Sequence, residues 1–213
     1  DGDALDLSGN GNDGTVNGGV SFVQGVIGGA ALFDGGENSN IRNTTLWQEA
    51  KSDVEKSVSL WVQVDDDNRK ASALISQWTA CYISNSDDHF HLTLYGGIYQ
   101  RLGLVWASAY VGSVAAERNL LVDGVWHNVV VLSSPELHAL YVDGALKSRV
   151  PSSGRSTNVQ GIDLALGGYD TDRCGYGVAT FRGRMDEVRV YDRILTEAEI
   201  CQLAGDKCSR SGF

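Results

Sequence analysis

His89 and His91 are the residues whose type and spacing most directly suggest chemistry. Two apart on a strand, they belong to one face, and Tyr95 falls on that face further along. Asp87 and Asp88 precede them in a polar, turn-like run. Such a set could serve as a His-x-His metal site, or as a His/Tyr acid–base pair for lyase chemistry on a polysaccharide. A lyase also needs an Arg, Asn or Gln beside the base to neutralise the substrate carboxylate, and sequence order places none there. The simpler reading is polar groups that hydrogen-bond a ligand. Saccharides are held by aromatic rings against their apolar faces, and by carboxylates and amides that exchange hydrogen bonds with hydroxyls. Trp78, Tyr82, Asp88, His89, His91, Tyr95, Tyr169, Asp172 and Arg173 make up the candidate ligand-binding set, with Tyr99 and Trp106 beside it. No catalytic residue is assigned. Trp61 and Trp126 alternate with Leu and Val neighbours and read as core; His127 reads as a packed residue with one satisfied nitrogen, and His138 as surface.

The cysteines Cys81, Cys174, Cys201 and Cys208 lack the two close pairs that zinc sites use. An even count in an acidic, Asn/Gly/Ser-rich chain suits an oxidising compartment and two disulfides. Proximity favours Cys201–Cys208 with Cys81–Cys174, although four cysteines allow three connectivities. Asn43-Thr44-Thr45 is a legal glycosylation sequon, in keeping with secretion. Phosphate-loop, G-x-S-x-G, HExxH and E-x-D-x-x-E patterns do not occur, and the glycine-rich stretches lack the strand–helix context that would make them phosphate cradles.

These residues have to be positioned by strands. The 213 residues carry 17 Lys+Arg against 27 Asp+Glu, a net charge of −10. That balance argues against nucleic acid and anionic membrane surfaces, which need a basic footprint. No apolar run approaches the roughly 18 residues of a membrane span, and no signal-like leader opens the chain. The sequence therefore reads as a mature or excised piece of a larger secreted or cell-surface protein. Ser57 to Val64, Ala71 to Trp78, His89 to Tyr95, Arg101 to Ala107, Val125 to Leu132, Leu137 to Val142, Ile162 to Leu166 and Val178 to Tyr191 alternate with period two. Gly/Asn/Asp punctuation separates them, and Asp143-Gly144 is a type I′ hairpin signal. Regularly spaced short strands without intervening helices give a sandwich or barrel in one domain, residues 1–213. One helix is expected near the end: Thr196-Glu197-Ala198-Glu199 is a capping box, Ile200 and Leu203 share a face, and Gly205 suits the stop.

Six stretches in order resemble the laminin-G-like, concanavalin A-like jelly rolls of the bacterial type. They are Asp6 to Thr15 (DLSGNGNDGT), Gly29 to Gly35 (GAALFDG), Ser57 to Val62 (SVSLWV), Asp123 to Val129 (DGVWHNV), Leu140 to Gly144 (LYVDG) and Gly183 to Arg193 (GRMDEVRVYDR). The resemblance implies two curved antiparallel sheets packed face to face, closed by a short C-terminal helix. It implies one structural Ca2+, held by Asp34 and Asp186 with loop carbonyls near Gly14 or Gly35, since hard cations take oxygen ligands. It also implies a non-catalytic recognition role: a glycan on the concave face or loop rim, or an extracellular protein as the alternative partner. Residues 65–122 and the run from Tyr169 to Tyr176 depart from a compact member, and such loops are where individual specificity sits.

Overall fold

A computed structural model describes residues 2–36, 38–45, 55–65, 72–77, 90–95, 101–106, 109–113, 121, 123–152, 163–168 and 181–208, with backbone alone at 90, 91, 95, 101–106 and 109–113. In chain order its strands are β1 (Thr15–Asn17), β2 (Val20–Gln24), β3 (Gly29–Asp34), β4 (Asn40–Asn43), β5 (Lys56–Val64), β6 (Ser72–Gln77) and β7 (Phe90–Tyr95). They continue with β8 (Arg101–Trp106), β9 (Ala109–Ser113), β10 (Trp126–Ser133), β11 (Leu137–Val142), β12 (Ala145–Pro151), β13 (Leu164–Leu166) and β14 (Arg182–Tyr191). Helix α1 (Glu197–Ala204) and a 3-10 turn (Gly205–Lys207) follow. All pairings are antiparallel and form two sheets, ordered β1-β4-β13-β6-β7-β8-β9 and β12-β11-β10-β5-β14-β3-β2. The expected all-β, two-sheet antiparallel sandwich is the observed one. Among the described residues, no helix is long and apolar enough to cross a membrane.

Strand alternation builds the core directly. Val58, Leu60, Val62 and Val64 point inward from β5 and meet Leu74, Ile75, Leu92 and Leu94 of the facing sheet. Phe33 and Phe181 close one end of this core edge to face, with centroids 5.7 Å apart. Helix α1 buries Ile200 on the outer face of the second sheet, together with Val130, Leu132, Ala139, Tyr141 and Leu195. Strands β10 and β11 are thus covered on both faces, which is why they read as nearly continuous apolar runs rather than alternating ones. The helix starts as expected: Thr196 accepts from the Glu199 amide while Glu199 reaches back to the Thr196 amide. Asp143 and Gly144 sit at φ 52° and 76°, the two positive values a type I′ turn requires.

Several expectations are corrected by the same alternation. Because Leu60 and Val62 face inward, Trp61 faces out and is half-buried on the helix side of the sheet. Trp126 is likewise half-buried and outside the core, in phase with Val130 and Leu132. His138 is 2% exposed, with its Nδ1 3.0 Å from Ser133 Oγ, so it is an interior residue and not a surface one. Asn43 of the sequon is also buried; its Nδ2 donates to the Asp13 carbonyl (3.0 Å), and its Oδ1 accepts from the Thr45 amide. Strands β1, β2, β4, β9 and β12 were not apparent from periodicity. Strands β1 and β4 have three and four residues, and β12 is a largely exposed edge ending in Pro151.

Candidate functional site

The expected ligand-binding set falls largely outside what the structure describes. Trp78, Tyr82, Asp88, His89, Tyr169, Asp172 and Arg173 lie outside the described residues, as do Cys81 and Cys174. His91 and Tyr95 are placed on β7, where position 91 opposes Ser76 and Val105, and position 95 opposes Arg101. The register phase of positions 91 and 95 is shared by Thr93 and is opposite to that of core residues Leu92 and Leu94. Of the four cysteines, Cys201 and Cys208 form a disulfide, and Cys208 packs against the β11–β12 turn at Gly144.

The two proposed calcium ligands do not converge. Asp34 pairs with Arg182, so Asp186 lies four residues further along β14, about 13 Å away at roughly 3.3 Å per residue. Ligand oxygens on one calcium lie about 2.3–2.6 Å from the ion, hence at most about 5 Å from each other. Asp186 is moreover fully engaged: its Oδ2 accepts from the amides of Val26 (2.7 Å) and Ile27 (2.9 Å), and its Oδ1 from the Glu187 amide (2.8 Å). A Cβ on Gly25 would collide with that carboxylate. Asp186 therefore fastens the β2–β3 turn to β14. It does so where β14 bulges, with Glu187 at φ 52° and the register slipping between Asp186 and Arg189. Asp34 is exposed at the end of β3, with Oδ1 accepting from the Gly36 amide (2.8 Å) and Gly19 packed so closely that a side chain there would overlap it. Calcium shared between Asp34 and Asp186 does not fit this geometry. Among the described residues, no three His, Cys, Asp or Glu side chains are grouped to hold a metal.

What the described residues do bring together is a groove of about 290 Å³ on the outer face of the second sheet, between β14, β5 and helix α1. The bulge after Asp186 re-aims β14, and Arg189, Tyr191, Ser59 and Trp61 supply the floor. Ile27 from the β2–β3 turn borders one side, and Glu199, Gln202 and Leu203 of α1 border the other. Arg193 donates to Glu199 through Nη1 (3.0 Å) and Nη2 (2.6 Å), and lies 5.8 Å from the Tyr191 ring centroid. Arg189 pairs with Glu187. The Arg193 contact and the Thr196 amide and hydroxyl pull the Glu199 pKa down to about 2. Beside this floor, Asn128 is buried; its Oδ1 has no hydrogen-bond partner among the described residues, while its Nδ2 reaches Ser59 Oγ at 3.4 Å. Reading the sequence missed this site. Its one available signal was strand phase: once Leu60 and Val62 are inward, Trp61 has to be outward.

A second polar cluster sits at the β11–β12 turn. His127 Nδ1 lies 2.7 Å from Asp143 Oδ2, and Nε2 lies 3.2 Å from both Asp123 oxygens. Both nitrogens are thus satisfied, where one was expected. Burial opposes charge on the imidazole, but the two carboxylates outweigh it and raise the His127 pKa. Burial resists charge on Asp123 too, yet the Val125 amide and His127 hold its pKa below the ordinary value. Asp143 Oδ1 also accepts from the Asn128 amide (3.0 Å), so the cluster locks the DGVWHN and YVDG segments together.

Comparison with known proteins gives this geometry its context. Residues 33–201 match the family model described as the concanavalin A-like lectin/glucanases superfamily. No curated protein matches the sequence. Among solved structures, the binding domain of Paraclostridial Mosquitocidal Protein 1 superposes with a TM-score of 0.71 at 16% identity, covering 94% of this chain and 48% of that one. Domain 4 of AbnA, a GH43 extracellular arabinanase from Geobacillus stearothermophilus solved with arabinotriose, gives 0.68 at 21% identity, covering 95% and 93%. The binding domain of Botulinum neurotoxin DC in complex with SialylT gives 0.68 at 12% identity, covering 96% and 48%. The chain thus spans about half the length of the toxin binding domains it resembles and nearly all of the arabinanase domain.

Proposed function

Because the chain belongs to the concanavalin A-like lectin/glucanases superfamily, we propose that it is a non-catalytic recognition module, residues 1–213, that binds a saccharide. It would act as part of a larger secreted or cell-surface protein. The observation that carries this reading is the groove over Trp61 and Tyr191: an aromatic, hydroxyl- and guanidinium-bearing floor on a rigid sheet, bordered by a disulfide-held helix. Its charged groups suit binding better than turnover. Glu199, held near pKa 2 in an ion pair, is a poor general acid at neutral pH. Structures of the same fold solved with arabinotriose and with SialylT support the choice of ligand class. His91 and Tyr95, placed on β7 of the opposite sheet, remain proposed ligand contacts for the same role, together with the rest of the sequence-derived set. Calcium, where the module takes it, falls to Asp34 and the glycine turns beside it, without Asp186.

A protein ligand is the alternative, favoured by the apolar tip of the β2–β3 turn, where Ile27 is 60% exposed beside the groove. A glycan array probed with the folded chain, in calcium and again in EDTA, tests the main reading. Saccharide binding in either condition supports it. A silent array, with binding to extracellular proteins that no sugar competes, transfers the role to the protein-binding alternative. Polysaccharide cleavage that His91→Ala abolishes would overturn the non-catalytic assignment.

A further inference from the structure

Resting on the saccharide-binding reading, we propose that the groove is selective for neutral saccharides of one or two rings, and that its Arg–Glu pairs are the hydroxyl-binding elements. Trp61, on the groove floor, forms the stacking surface. Three observations carry this. The groove holds four ionic side chains, and they cancel in pairs: Arg189 with Glu187, and Arg193 with Glu199 in a two-point contact. An anionic sugar would bring its carboxylate to guanidinium groups that already face carboxylates, and would set it against Glu187 and Glu199. The protein as a whole, at −10, adds no compensating attraction.

A neutral polyol meets the same groups on better terms. Each hydroxyl both donates and accepts, so one hydroxyl can receive from a guanidinium N–H not used in its ion pair while donating to the adjoining carboxylate. A guanidinium has five N–H donors, of which Arg193 uses two on Glu199 and one on the Ile194 carbonyl, while Arg189 bonds Glu187 and Tyr191, so each keeps donors for a hydroxyl. Trp61, half-buried at the groove floor, presents a ring against which the C–H face of a sugar can lie. Size sets the limit on length. At about 290 Å³ the groove is at the small end of ligand clefts, which run from about 300 to 1,000 Å³.

The test uses calorimetric titration of the folded chain with lactose, arabinobiose and cellobiose, alongside the uronic-acid counterparts of lactose and cellobiose, which are disaccharides of the same size. At least one neutral disaccharide is expected to bind, with its acidic counterpart at least tenfold weaker. Two variants locate the site. Trp61→Ala removes the stacking ring from the floor, and Gln202→Trp fills the groove from the exposed side of α1 while removing nothing from the sheet. Each is expected to weaken neutral binding at least tenfold, Trp61→Ala by the loss of one aromatic contact and Gln202→Trp by occupying the space the sugar needs. Glu187→Gln releases Arg189 from its carboxylate and is expected to narrow the gap between neutral and acidic ligands. An acidic sugar that binds the unaltered chain as tightly as its neutral partner overturns the class. Neutral binding that both Trp61→Ala and Gln202→Trp leave unchanged overturns the site while the module reading stands. If no saccharide binds here and the glycan array is also silent, the saccharide-binding reading falls and this inference falls with it.

Discussion

Replacing Asp186 by alanine tests whether this carboxylate is a fastener rather than a metal ligand. The side chain is 5% exposed and accepts three backbone amides, from Val26, Ile27 and Glu187, at 2.7, 2.9 and 2.8 Å. Hydrogen bonds to a charged acceptor contribute about 1.5–3 kcal/mol each, so three set an upper bound of about 4.5–9 kcal/mol. Two corrections lower it. Val26 and Ile27 are 38% and 60% exposed, so their amides can regain water once the carboxylate is gone. Removing a buried charge also recovers its desolvation. Asp186→Ala is therefore expected to destabilise the fold by about 3 kcal/mol, which for a chain of this size lowers Tm by about 6–12 °C. Asp186→Asn can keep its oxygen on the Val26 and Ile27 amides, but turns an N–H toward the Glu187 amide. It should lose about half as much. Urea unfolding followed by circular dichroism, in calcium and in EDTA, reads both values. An Asp186→Ala chain within about 0.5 kcal/mol of the unaltered one would refute the fastener. A calcium effect present in the unaltered chain and absent from Asp186→Ala would refute the register argument and restore Asp186 as a ligand.

Further outcomes follow from the other clusters. His127 has a raised pKa, so its folded form binds a proton more tightly than the unfolded chain does. The stability it contributes is complete below the unfolded value near 6.5 and is lost as pH rises through the folded pKa. His138 has the opposite sign, its pKa lowered by burial, so the stability it contributes is lost as pH falls through and below about 6.5. NMR titration of the two imidazoles should place His127 above the ordinary value and His138 below it; coincident titrations would contradict both environments. Cys201 and Cys208 close a loop with a sequence separation of 7, for which loop entropy predicts about 2.5 kcal/mol. Cys201→Ser/Cys208→Ser should lose about that much in thermal unfolding and speed amide exchange in α1, and an unchanged exchange pattern would argue against the bridge holding the helix.

Short-range patterns in the sequence determine a good deal of this protein by themselves. Alternation marks β5, β6, β7, β8 and β14 to within a few residues, because one buried face per strand leaves a period of two, while β10 and β11, covered on both faces, stand out as apolar runs of strand length. The capping box of α1 and the Asp143-Gly144 turn are local hydrogen-bond and dihedral requirements, so the residues involved announce them. The proximity of Cys201 and Cys208 was enough to pair them. What lay beyond reach depends on which strands become neighbours. The family resemblance implied that Asp34 and Asp186 share one calcium; they stand on adjacent strands, but pairing register sets them four residues apart, and register is a property of the assembled sheet. The acidity of residue 186 was visible from the start; that two amides of a turn some 160 residues away would join its neighbour's amide in using it was not. Trp61 shows the same division. Its alternation with apolar neighbours was legible, but only a folded sheet with Leu60 and Val62 inside could turn that ring outward, under a helix more than a hundred residues downstream, into a groove.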